Sequence, residues 1–458
     1  MKVTVKNLGV LKHAEFEVGG LTIICGANNT GKTYATYALY GFMAFWNQNF
    51  MPDLLEKDTI EKLIVNGNIR IDLENIKKKS NEVITEACKE FLPNLPMVFA
   101  APDKYFESAC FSISLDSAKI KVIEEYDKFA SPGDKRVLNV VKKHGENFLD
   151  VNILTEIEKE KRVWLKHIVN SHLLDVVFGN TFTIPFIASA ERTGAAIFHK
   201  ELDFSRNRLL EHMSNNKNDR DPLTLLNRFF DKGYALPVNR DVDFIRDFEG
   251  VSKEESIIAR DNPGIMESFG DILGGEYKVT KEALYFVPSN KNVKLKIGES
   301  ASSVRSLLDI GLYIRHKAKP GDILMIDEPE LNLHPANQRR MARLLAKLVN
   351  AGVKVFITTH SDYILKEFNT LIMLRRGGAA TTRVIEEYGY DKKELLDAVN
   401  VRAYIAQEAH LKTEDDKRAR KRHTFVQAPI GEYGIDIESF DETINTMNDI
   451  QRELVFGD

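Results

Sequence analysis

The octapeptide at 26–33, with the letters GANNTGKT, constrains the fold more than any other part of this sequence. It fits the pattern G-x-x-x-x-G-K-[ST], lies after an apolar strand predicted at 21–25, and precedes a helix predicted from Lys32 to about Phe45. Glycines let successive backbone N–H groups turn toward one anion, and the helix N-terminus directs partial positive charge to the same place. The pattern therefore predicts a phosphate-binding loop in an α/β sheet.

The side chains of this loop have separate predicted roles. Lys32 is expected to reach the β- and γ-phosphates of a nucleotide and to assist catalysis, and the Thr33 hydroxyl is expected to ligate Mg²⁺. The other residues predicted to surround the phosphates are Gly26, Asn28, Asn29, Thr30 and Gly31.

A second apolar strand, at 323–326, ends in the acidic pair Asp327 and Glu328. Ending a buried strand in charge is costly unless a cation or a reacting group uses that charge. Asp327 is therefore predicted to hold Mg²⁺, directly or through water, and Glu328 to polarise the water that attacks the γ-phosphate. Taken alone, the pair is also compatible with two solvated acids at a strand exit.

A third apolar strand, at 353–358, runs out through Thr-Thr-His to His360. This histidine is predicted to contact the γ-phosphate or the attacking water, and a capping or packing histidine is the alternative. The segment 330–335 is expected to form a loop beside the site. The alternation of strand, helix and strand over 322–358 indicates a parallel α/β sheet.

Composition narrows the class of protein. Of the 458 residues, 43% are hydrophobic, and 63 basic residues against 67 acidic ones give a net charge of −4, which excludes a disordered or polyanion-coating chain. Three cysteines without a CxxC pair argue against a disulfide framework or structural zinc. With neither a signal peptide nor a membrane span predicted, we expect a cytoplasmic protein. The basic run at 417–423 indicates either a nucleic-acid or acidic-protein contact or a solvated helix face.

In this order, the motifs resemble those of ABC/SMC-type ATPase heads, the group of RecF, the SMC-like strand-break repair ATPases and the OLD-family proteins. Segments 187–194 and 271–277 resemble OLD-like defence ATPases, and the chain is most similar to stand-alone ATPase subunits of phage-defence systems such as PARIS and Septu. The resemblance implies an α/β ABC-type ATPase head, with a mixed and parallel sheet around the phosphate loop and helical insertions. It also implies ATP and Mg²⁺ as ligands.

The resemblance further implies that nucleotide pairs two heads into a homodimer or higher homo-oligomer. One subunit's loop would hold each ATP, and the other's signature serines, Ser302 and Ser303, would cap it. A helix N-cap explains these serines too, and Val304 stands where a glycine is common. The glutamine that usually bridges Mg²⁺ and the arm has no clear match; Glu191 and Arg192 either replace it or form a structural ion pair.

The predicted organisation alternates head and insertion. Its segments are a first head lobe at 1–48, a mostly helical insertion at 49–180, a head strand at 181–198, a helical lid or arm at 199–270, a second head lobe at 271–378 and a C-terminal extension at 379–458.

The expected function is slow ATP hydrolysis that serves as a switch or scaffold for a separately encoded effector nuclease in phage defence, with a phage protein or DNA as the trigger. The acids at 241–243 and 434–438 lack a fitting strand–helix frame, so no built-in nuclease is predicted. The alternative is a RecF/SMC-like repair ATPase that clamps DNA. A transporter cassette is disfavoured, because nearly three hundred residues separate the loop from Asp327 and the signature lacks a double glycine.

Overall fold

The computed structural model describes most of the chain, and the strands and helices below are those of the described part. The described residues are 1–56, 58–131, 136–155, 162–198, 233–280, 283–289, 291, 293–412, 418–436, 446–447 and 449–453. The strands, in chain order, are β1 (Lys2–Leu8), β2 (Leu11–Glu17), β3 (Leu21–Cys25), β4 (Asn68–Asp72), β5 (Cys110–Ser114), β6 (Tyr126–Ala130), β7 (Leu138–Lys142), β8 (Phe148–Ile153), β9 (Phe186–Ala188), β10 (Gly275–Val279), β11 (Leu284–Pro288), β12 (Leu295–Lys296), β13 (Ile323–Asp327), β14 (Lys354–Thr359), β15 (Val401–Leu411), β16 (Arg420–Gln427), β17 (Ile430–Gly431) and β18 (Gly434–Ile435). The helices, in the same order, are α1 (Lys32–Gln48), α2 (Thr59–Asn66), α3 (Leu73–Lys78), α4 (Ser80–Phe91), α5 (Leu95–Phe99), α6 (Arg162–Phe178), α7 (Leu236–Arg246), α8 (Phe248–Val251), α9 (Ile257–Asp261), α10 (Pro263–Leu273), α11 (Ser302–Ser306), α12 (Leu308–His316), α13 (Pro335–Asn350), α14 (Asp362–Leu374) and α15 (Ala379–Tyr388).

The chain divides into two units, each described by itself. One unit comprises Met1–Val3, Phe42–Asn94 and Phe111–Ile184, and the other comprises Thr4–Gly41, Leu95–Cys110 and Pro185–Asp458. The second unit contains every residue to which the sequence analysis gave a role in nucleotide binding or catalysis.

A six-stranded sheet forms the centre of the second unit, with the strand order β16-β15-β3-β14-β13-β9. All neighbouring pairs are parallel except β15 and β16, which are antiparallel. Every residue of β3 and β13 is buried, as expected for parallel strands covered on both faces. The predicted α/β class with a mixed sheet around the phosphate loop is therefore confirmed.

The register of the central strands determines what meets at the carboxyl edge of the sheet. Cys25 at the end of β3 pairs with Thr359 on β14, and Thr358 pairs with Asp327 at the end of β13. Strand β14 thus lies between the strand that leads into the phosphate loop and the strand that ends in the acids. Ligands of open α/β sheets bind at this carboxyl edge.

The first unit contains more β-structure than the mostly helical insertion predicted at 49–180. Besides α2, α3, α4 and α6 it contains a four-stranded antiparallel sheet in the order β4-β8-β7-β6. These strands have five or six residues each, and β4, with the letters NIRID, alternates polar and apolar residues as expected of a half-buried strand. Tertiary pairing helps to fix them, as in the ion pair from Arg70 to Asp150 across β4 and β8, with 2.7 Å between Nε and Oδ1.

Part of the C-terminal extension predicted at 379–458 belongs to the central sheet of the head. Strand β15 pairs in parallel with β3, and β16 completes that edge of the central sheet, so the sheet continues beyond residue 378. The basic run at 417–423, whose alternative reading was a solvated helix face, lies largely in the strand β16. Lys421 there contacts Glu408 on β15, with 3.0 Å between Nζ and Oε2. Lys417, and residues 437–438 of the acidic segment, lie outside the described residues.

The predicted lid at 199–270 is described only from residue 233, where α7 to α10 follow one another. The segment from Ser302 to His316 forms two helices, α11 and α12, separated at Leu307. No helix among the described ranges combines the length and the apolar character that a membrane crossing requires.

Candidate nucleotide-binding site

Two glycines of the phosphate loop occupy positions that only glycine fits. Gly26 has a φ of 138°, and a Cβ there would lie 2.4 Å from the carbonyl oxygen of Ala406 on β15. Gly31 has a φ of 97°, and a Cβ there would lie 2.5 Å from Cγ of Leu11. Strands β15 and β2 therefore lie so close to the loop backbone that a side chain at either position would clash, and glycine is required at both.

The crest of the loop is open to solvent. Ala27, Asn28 and Asn29 are exposed, and Asn29 adopts a φ of 61°, which asparagine tolerates better than most residues. Thr30 is buried, and its hydroxyl donates to the carbonyl of Ala27 at 2.8 Å. This internal bond fixes the curve of the loop beneath its exposed crest.

Lys32 lies beneath the loop and is only 6% exposed. Its Nζ donates to the carbonyl oxygens of Gly26 at 2.9 Å and Ala27 at 2.7 Å. Burial lowers the pKa of Lys32, while the nearby carboxylates of Asp327 and Glu328 counteract that shift. A largely desolvated cation enclosed by loop carbonyls is suited to an incoming polyphosphate.

Thr33 and Asp327 bring two oxygen atoms that could ligate a metal ion close together. The Thr33 hydroxyl donates to Asp327 Oδ2 at 3.2 Å, and the Thr358 hydroxyl donates to Asp327 Oδ1. Burial raises the pKa of Asp327, and the hydrogen bond from Thr358 lowers it. Hydroxyl and carboxylate oxygens suit Mg²⁺, which usually binds through one or two carboxylates plus substrate phosphates. The oxygens of Thr33 and Asp327, next to the glycine loop and its buried ammonium, thus fit a nucleoside triphosphate with Mg²⁺.

Glu328 is held in a left-handed conformation, with a φ of 53°. Its N–H donates to the carbonyl of Thr358 at 3.0 Å, and its own carbonyl accepts from Arg192 Nη2 at 2.7 Å and from the N–H of Leu331 at 3.1 Å. Its Oε1 lies 3.6 Å from His360 Nδ1. Such conformations in non-glycine residues persist where surrounding contacts enforce them, and they cluster at active sites.

Glu330 is a buried acid for which the sequence analysis had no role beyond a loop position. Its Oε1 accepts from the Thr359 hydroxyl at 2.8 Å and from the N–H of His360 at 2.9 Å, and it lies 3.6 Å from His360 Nδ1. Its other oxygen, Oε2, is buried without a hydrogen bond. Burial raises the pKa of Glu330. The residue therefore anchors the backbone of His360 and contributes further negative charge to the site.

Glu191 and Arg192 bond to different partners and not to each other. Glu191 Oε2 accepts from the Tyr37 hydroxyl at 3.1 Å. Arg192 is buried, and its guanidinium donates to backbone carbonyls, among them those of Asp327 and Glu328. Glu191 and Arg192 therefore do not form the structural ion pair that was one of the two predicted alternatives for them.

Ser302 and Ser303 lie at the start of α11, where Ser302 is exposed and Ser303 half-buried. Among the residues that the structure describes, no hydrogen bond joins either serine to the phosphate loop of the same chain. Val304 is buried, and its carbonyl accepts from the Tyr277 hydroxyl. One chain thus brings together the loop, both acids and His360, and it leaves the serines outside that network.

A family model described as AAA ATPase domain (AAA_15) matches residues 1–365, and the chain belongs to this family. Together with the sheet topology, the match supports the predicted α/β ATPase fold. The matched part of the chain is an ATPase domain, which implies that it binds a nucleotide.

Short stretches are similar to curated ABC proteins of fungi. The chain is 34% identical over 94 residues to the ABC multidrug transporter SNQ2 of Candida glabrata, which is 20% of this chain and 6% of that protein. It is 37% identical over 76 residues to Protein SNQ2 of Saccharomyces cerevisiae, which is 16% of this chain and 5% of that protein. The chain therefore spans only a small part of the length of these relatives.

Solved SMC heads are similar over most of the chain at low identity. The head bound to the C-winged helix domain of ScpA is 13% identical, covering 80% of this chain and 91% of that one, with a TM-score of 0.32. The SMC head domain of Thermotoga maritima is 12% identical, covering 80% and 90%, with a TM-score of 0.29.

Proposed function

We propose that this ATPase hydrolyses ATP slowly at a composite site between two copies of the chain and acts as a switch for a separate effector. The observation that carries the ATP site is the hydrogen-bonded convergence of Lys32, Thr33, Asp327 and their neighbours at one sheet edge. The observation that favours a composite site is the position of the exposed Ser302, outside that network.

The chain's own residues would share the chemistry as follows. Lys32 neutralises charge on the terminal phosphates, and the oxygens of Thr33 and Asp327 hold Mg²⁺, which when bound withdraws electron density from the phosphate oxygens. Glu328 orients the attacking water and accepts its proton. His360, 3.6 Å from Glu328, donates a hydrogen bond toward the γ-phosphate or the water.

A partner copy would complete the site with Ser302 and Ser303. Their hydroxyls are polar donors at the start of a helix, a position suited to an anion. Because these donors would arrive only when two chains meet, assembly limits turnover, which makes hydrolysis slow and ATP the trigger of association. The active species is then a homodimer or a higher homo-oligomer.

The biological role we propose is phage defence, in which the ATPase holds or releases a nuclease encoded separately. The support is the resemblance of segments 187–194 and 271–277 to OLD-like defence ATPases, together with the resemblance of the chain to stand-alone ATPase subunits of phage-defence systems such as PARIS and Septu. A phage protein or DNA would act as the trigger.

A DNA clamp is the second candidate, and the edge strand β16 favours it. Residues 420 and 421 on this strand are basic and exposed, and Arg418 just before it is also exposed. Glu408 partly neutralises the patch through its contact with Lys421. Duplex binding through these side chains would weaken steeply as salt rises, because counterions are released from the phosphates.

The proposed function is tested by two measurements, self-association of the chain with nucleotide and protection of cells against phage. The full chain is sedimented with Mg²⁺ and either no nucleotide, ADP or ATP, and we expect a larger species only with ATP. Cells that carry the gene with its neighbouring gene are then challenged with phage, and we expect protection that needs both genes. An unchanged sedimentation coefficient with ATP contradicts the composite site. Protection absent in the presence of both genes, with tight salt-sensitive duplex binding, favours the DNA clamp.

A further inference from the structure

Arg192 joins three separate chain segments through one buried guanidinium. Its Nη1 donates to the carbonyls of Ser189 at 2.7 Å and Asp327 at 2.6 Å, and its Nη2 donates to the carbonyl of Glu328 at 2.7 Å. Its Nε donates to the carbonyl of Ser306 at 2.8 Å. The side chain is 1% exposed, so water does not compete for these bonds. The planar fork of arginine suits several acceptors with fixed directions.

Two buried acids interact electrostatically with this guanidinium. Asp309 and Asp241 are each 1% exposed, and Asp241 Oδ2 accepts from the N–H of Ser189 at 3.0 Å. Burial raises the pKa of both carboxyls, and the positive charge of Arg192 opposes that shift. A buried cation is costly unless polar groups surround it, and the carbonyls of Ser189, Ser306, Asp327 and Glu328 surround the guanidinium of Arg192.

The hydroxyl of Ser306 has two backbone carbonyls within hydrogen-bonding distance. It is the last residue of α11, the helix that begins with Ser302. Its hydroxyl lies 3.1 Å from the carbonyl of Leu331, three residues after Glu328, and 3.1 Å from that of Ser303. The C-terminal end of α11 is thus hydrogen-bonded to Arg192 and to the segment that follows Glu328.

We infer that Arg192 is a positioning residue that couples the two nucleotide sites of an assembled pair. This inference rests on the proposed function. In one chain, Arg192 contacts the backbone of Glu328, which acts on that chain's own nucleotide. It also contacts the end of the helix whose serines, Ser302 and Ser303, would cap the partner's nucleotide. Occupation of the partner's site therefore sets the position of Glu328 through Ser306 and Arg192.

The left-handed backbone of Glu328 makes this coupling effective. The conformation is sparsely populated by non-glycine residues and depends on its hydrogen bonds, of which Thr358 accepts one and Arg192 donates another. If the bond from Arg192 shifts or is lost, Glu328 loses a restraint next to its carboxylate. A misplacement of about 1 Å can lower a rate by about a hundredfold.

The first test replaces Arg192 with lysine in the full chain, which keeps the charge beside the buried acids but removes the fork. We expect ATP affinity within about twofold of wild type, kcat at least about tenfold lower, and a Hill coefficient for ATP hydrolysis that falls from above 1 to about 1. Arg343→Lys is the matched control, since Arg343 is partly buried and bonds to Glu394 Oε2 at 2.8 Å and to the carbonyl of Gly389, which belong to no part of the site. We expect it to leave kcat and the Hill coefficient unchanged.

A second variant separates coupling from folding. Ser306→Ala removes the hydroxyl that reaches the Leu331 carbonyl but leaves Arg192 intact, and we expect the Hill coefficient to fall with melting temperature within a few degrees of wild type. Wild-type protein that associates and hydrolyses ATP without cooperativity overturns the coupling and leaves the proposed function standing. Wild-type protein that does not associate with ATP overturns both. Arg192→Lys protein with wild-type kcat and cooperativity overturns the role of Arg192 alone.

Discussion

Thr33 and Asp327 are joined by a hydrogen bond of 3.2 Å between the threonine hydroxyl and the aspartate Oδ2, across 294 positions of sequence. Thr33 lies in the first turn of α1, which follows β3, and Asp327 ends β13; β14 lies between these two strands in the sheet. The contact depends on the register that aligns Thr358 with Asp327 and Thr359 with Cys25. A pair of oxygens built in this way forms only when the central sheet is complete.

Asp327→Asn should raise the Mg²⁺ concentration needed for half-maximal nucleotide binding by at least about tenfold, because it removes the one anionic oxygen donor paired with Thr33. Asp322→Asn is the control: Asp322 precedes the same strand and is buried, but its Oδ2 accepts from the Tyr313 hydroxyl and the N–H of Lys319. Titration of nucleotide binding with Mg²⁺ checks the prediction. Equal Mg²⁺ dependence in the two variants would remove Asp327 from the metal site.

Lys32→Ala should weaken ATP binding by about ten- to a hundredfold, since a hydrogen bond to a charged group contributes roughly 1.5–3 kcal/mol. The matched control is Lys347→Ala. Lys347 is also largely buried, but its ammonium contacts Asp391 at 3.4 Å and Glu394 at 3.3 Å. Equilibrium binding of a fluorescent ATP analogue measures the effect. Unaltered affinity in the Lys32 variant would show that the buried ammonium does not meet the phosphates.

Glu328→Gln should lower kcat by at least about a hundredfold while ATP binding and ATP-dependent association persist, because glutamine keeps the size of the side chain but cannot accept the proton of water. Glu387→Gln on the exposed face of α15 serves as the control for loss of one carboxylate. Phosphate release and sedimentation in ATP give the two readouts. Hydrolysis at the wild-type rate would refute Glu328 as the base.

Gly26→Ala should destabilise the second unit by several kcal/mol and abolish ATP binding, because its Cβ would lie 2.4 Å from the Ala406 carbonyl oxygen. Gly67→Ala is the comparison. Gly67 also has a positive φ, 74°, but a Cβ there meets nothing within 4 Å, so only about 1 kcal/mol of backbone cost is expected. Melting curves with and without ATP measure both variants. Similar losses in the two would mean that φ alone matters at Gly26.

The sequence was sufficient for the parts of the fold that depend on local pattern. The phosphate loop with its flanking strand and helix, and the strands that end at Asp327 and Thr359, lie where apolar runs and glycines indicated. The sheet of the first unit was not predicted, although β6, β7 and β8 follow one another along the chain and pair as neighbours; its β4 pairs with β8 across 80 positions, at Arg70 and Asp150. The joining of β15 to β3 is a long-range choice of partner that leaves little periodic trace.

The contacts of the site illustrate the same limit. Sequence motifs indicated the residue types at 26–33, 327–328 and 360, and what each role requires chemically. They did not indicate that Thr358 would bind the carboxylate of Asp327, or that the partners of Arg192 in the described part of the chain would be backbone carbonyls. Both features arise from the three-dimensional meeting of strand ends. The signal in the sequence for Thr358 is a polar residue at the end of an otherwise apolar strand.

Asp309→Asn should remove part of the pH dependence of stability. Burial raises the pKa of Asp309 to about 6, above its unfolded value near 3.9, while Arg192 opposes the shift. The groups that face it are Arg192, Asp241 and the Tyr277 hydroxyl. The folded chain therefore binds this proton more tightly than the unfolded chain does, and the stability from protonated Asp309 is present at low pH and is lost as pH rises through about 6.

Between pH 5 and pH 7 the wild type should accordingly lose about 1 kcal/mol of unfolding free energy relative to the Asp309→Asn variant, because asparagine has no proton to release. Buried carboxyls that do not interact with Asp309 titrate alike in both proteins, so their contributions cancel in the difference, whereas Asp241 interacts with Asp309 and its titration belongs to the measured effect. Urea unfolding at the two pH values measures it, and Asp322→Asn provides a second buried acid for comparison. A difference between wild type and the Asp309→Asn variant that stays constant with pH would mean that Asp309 is already ionised in the folded chain at pH 5, with Arg192 outweighing its burial.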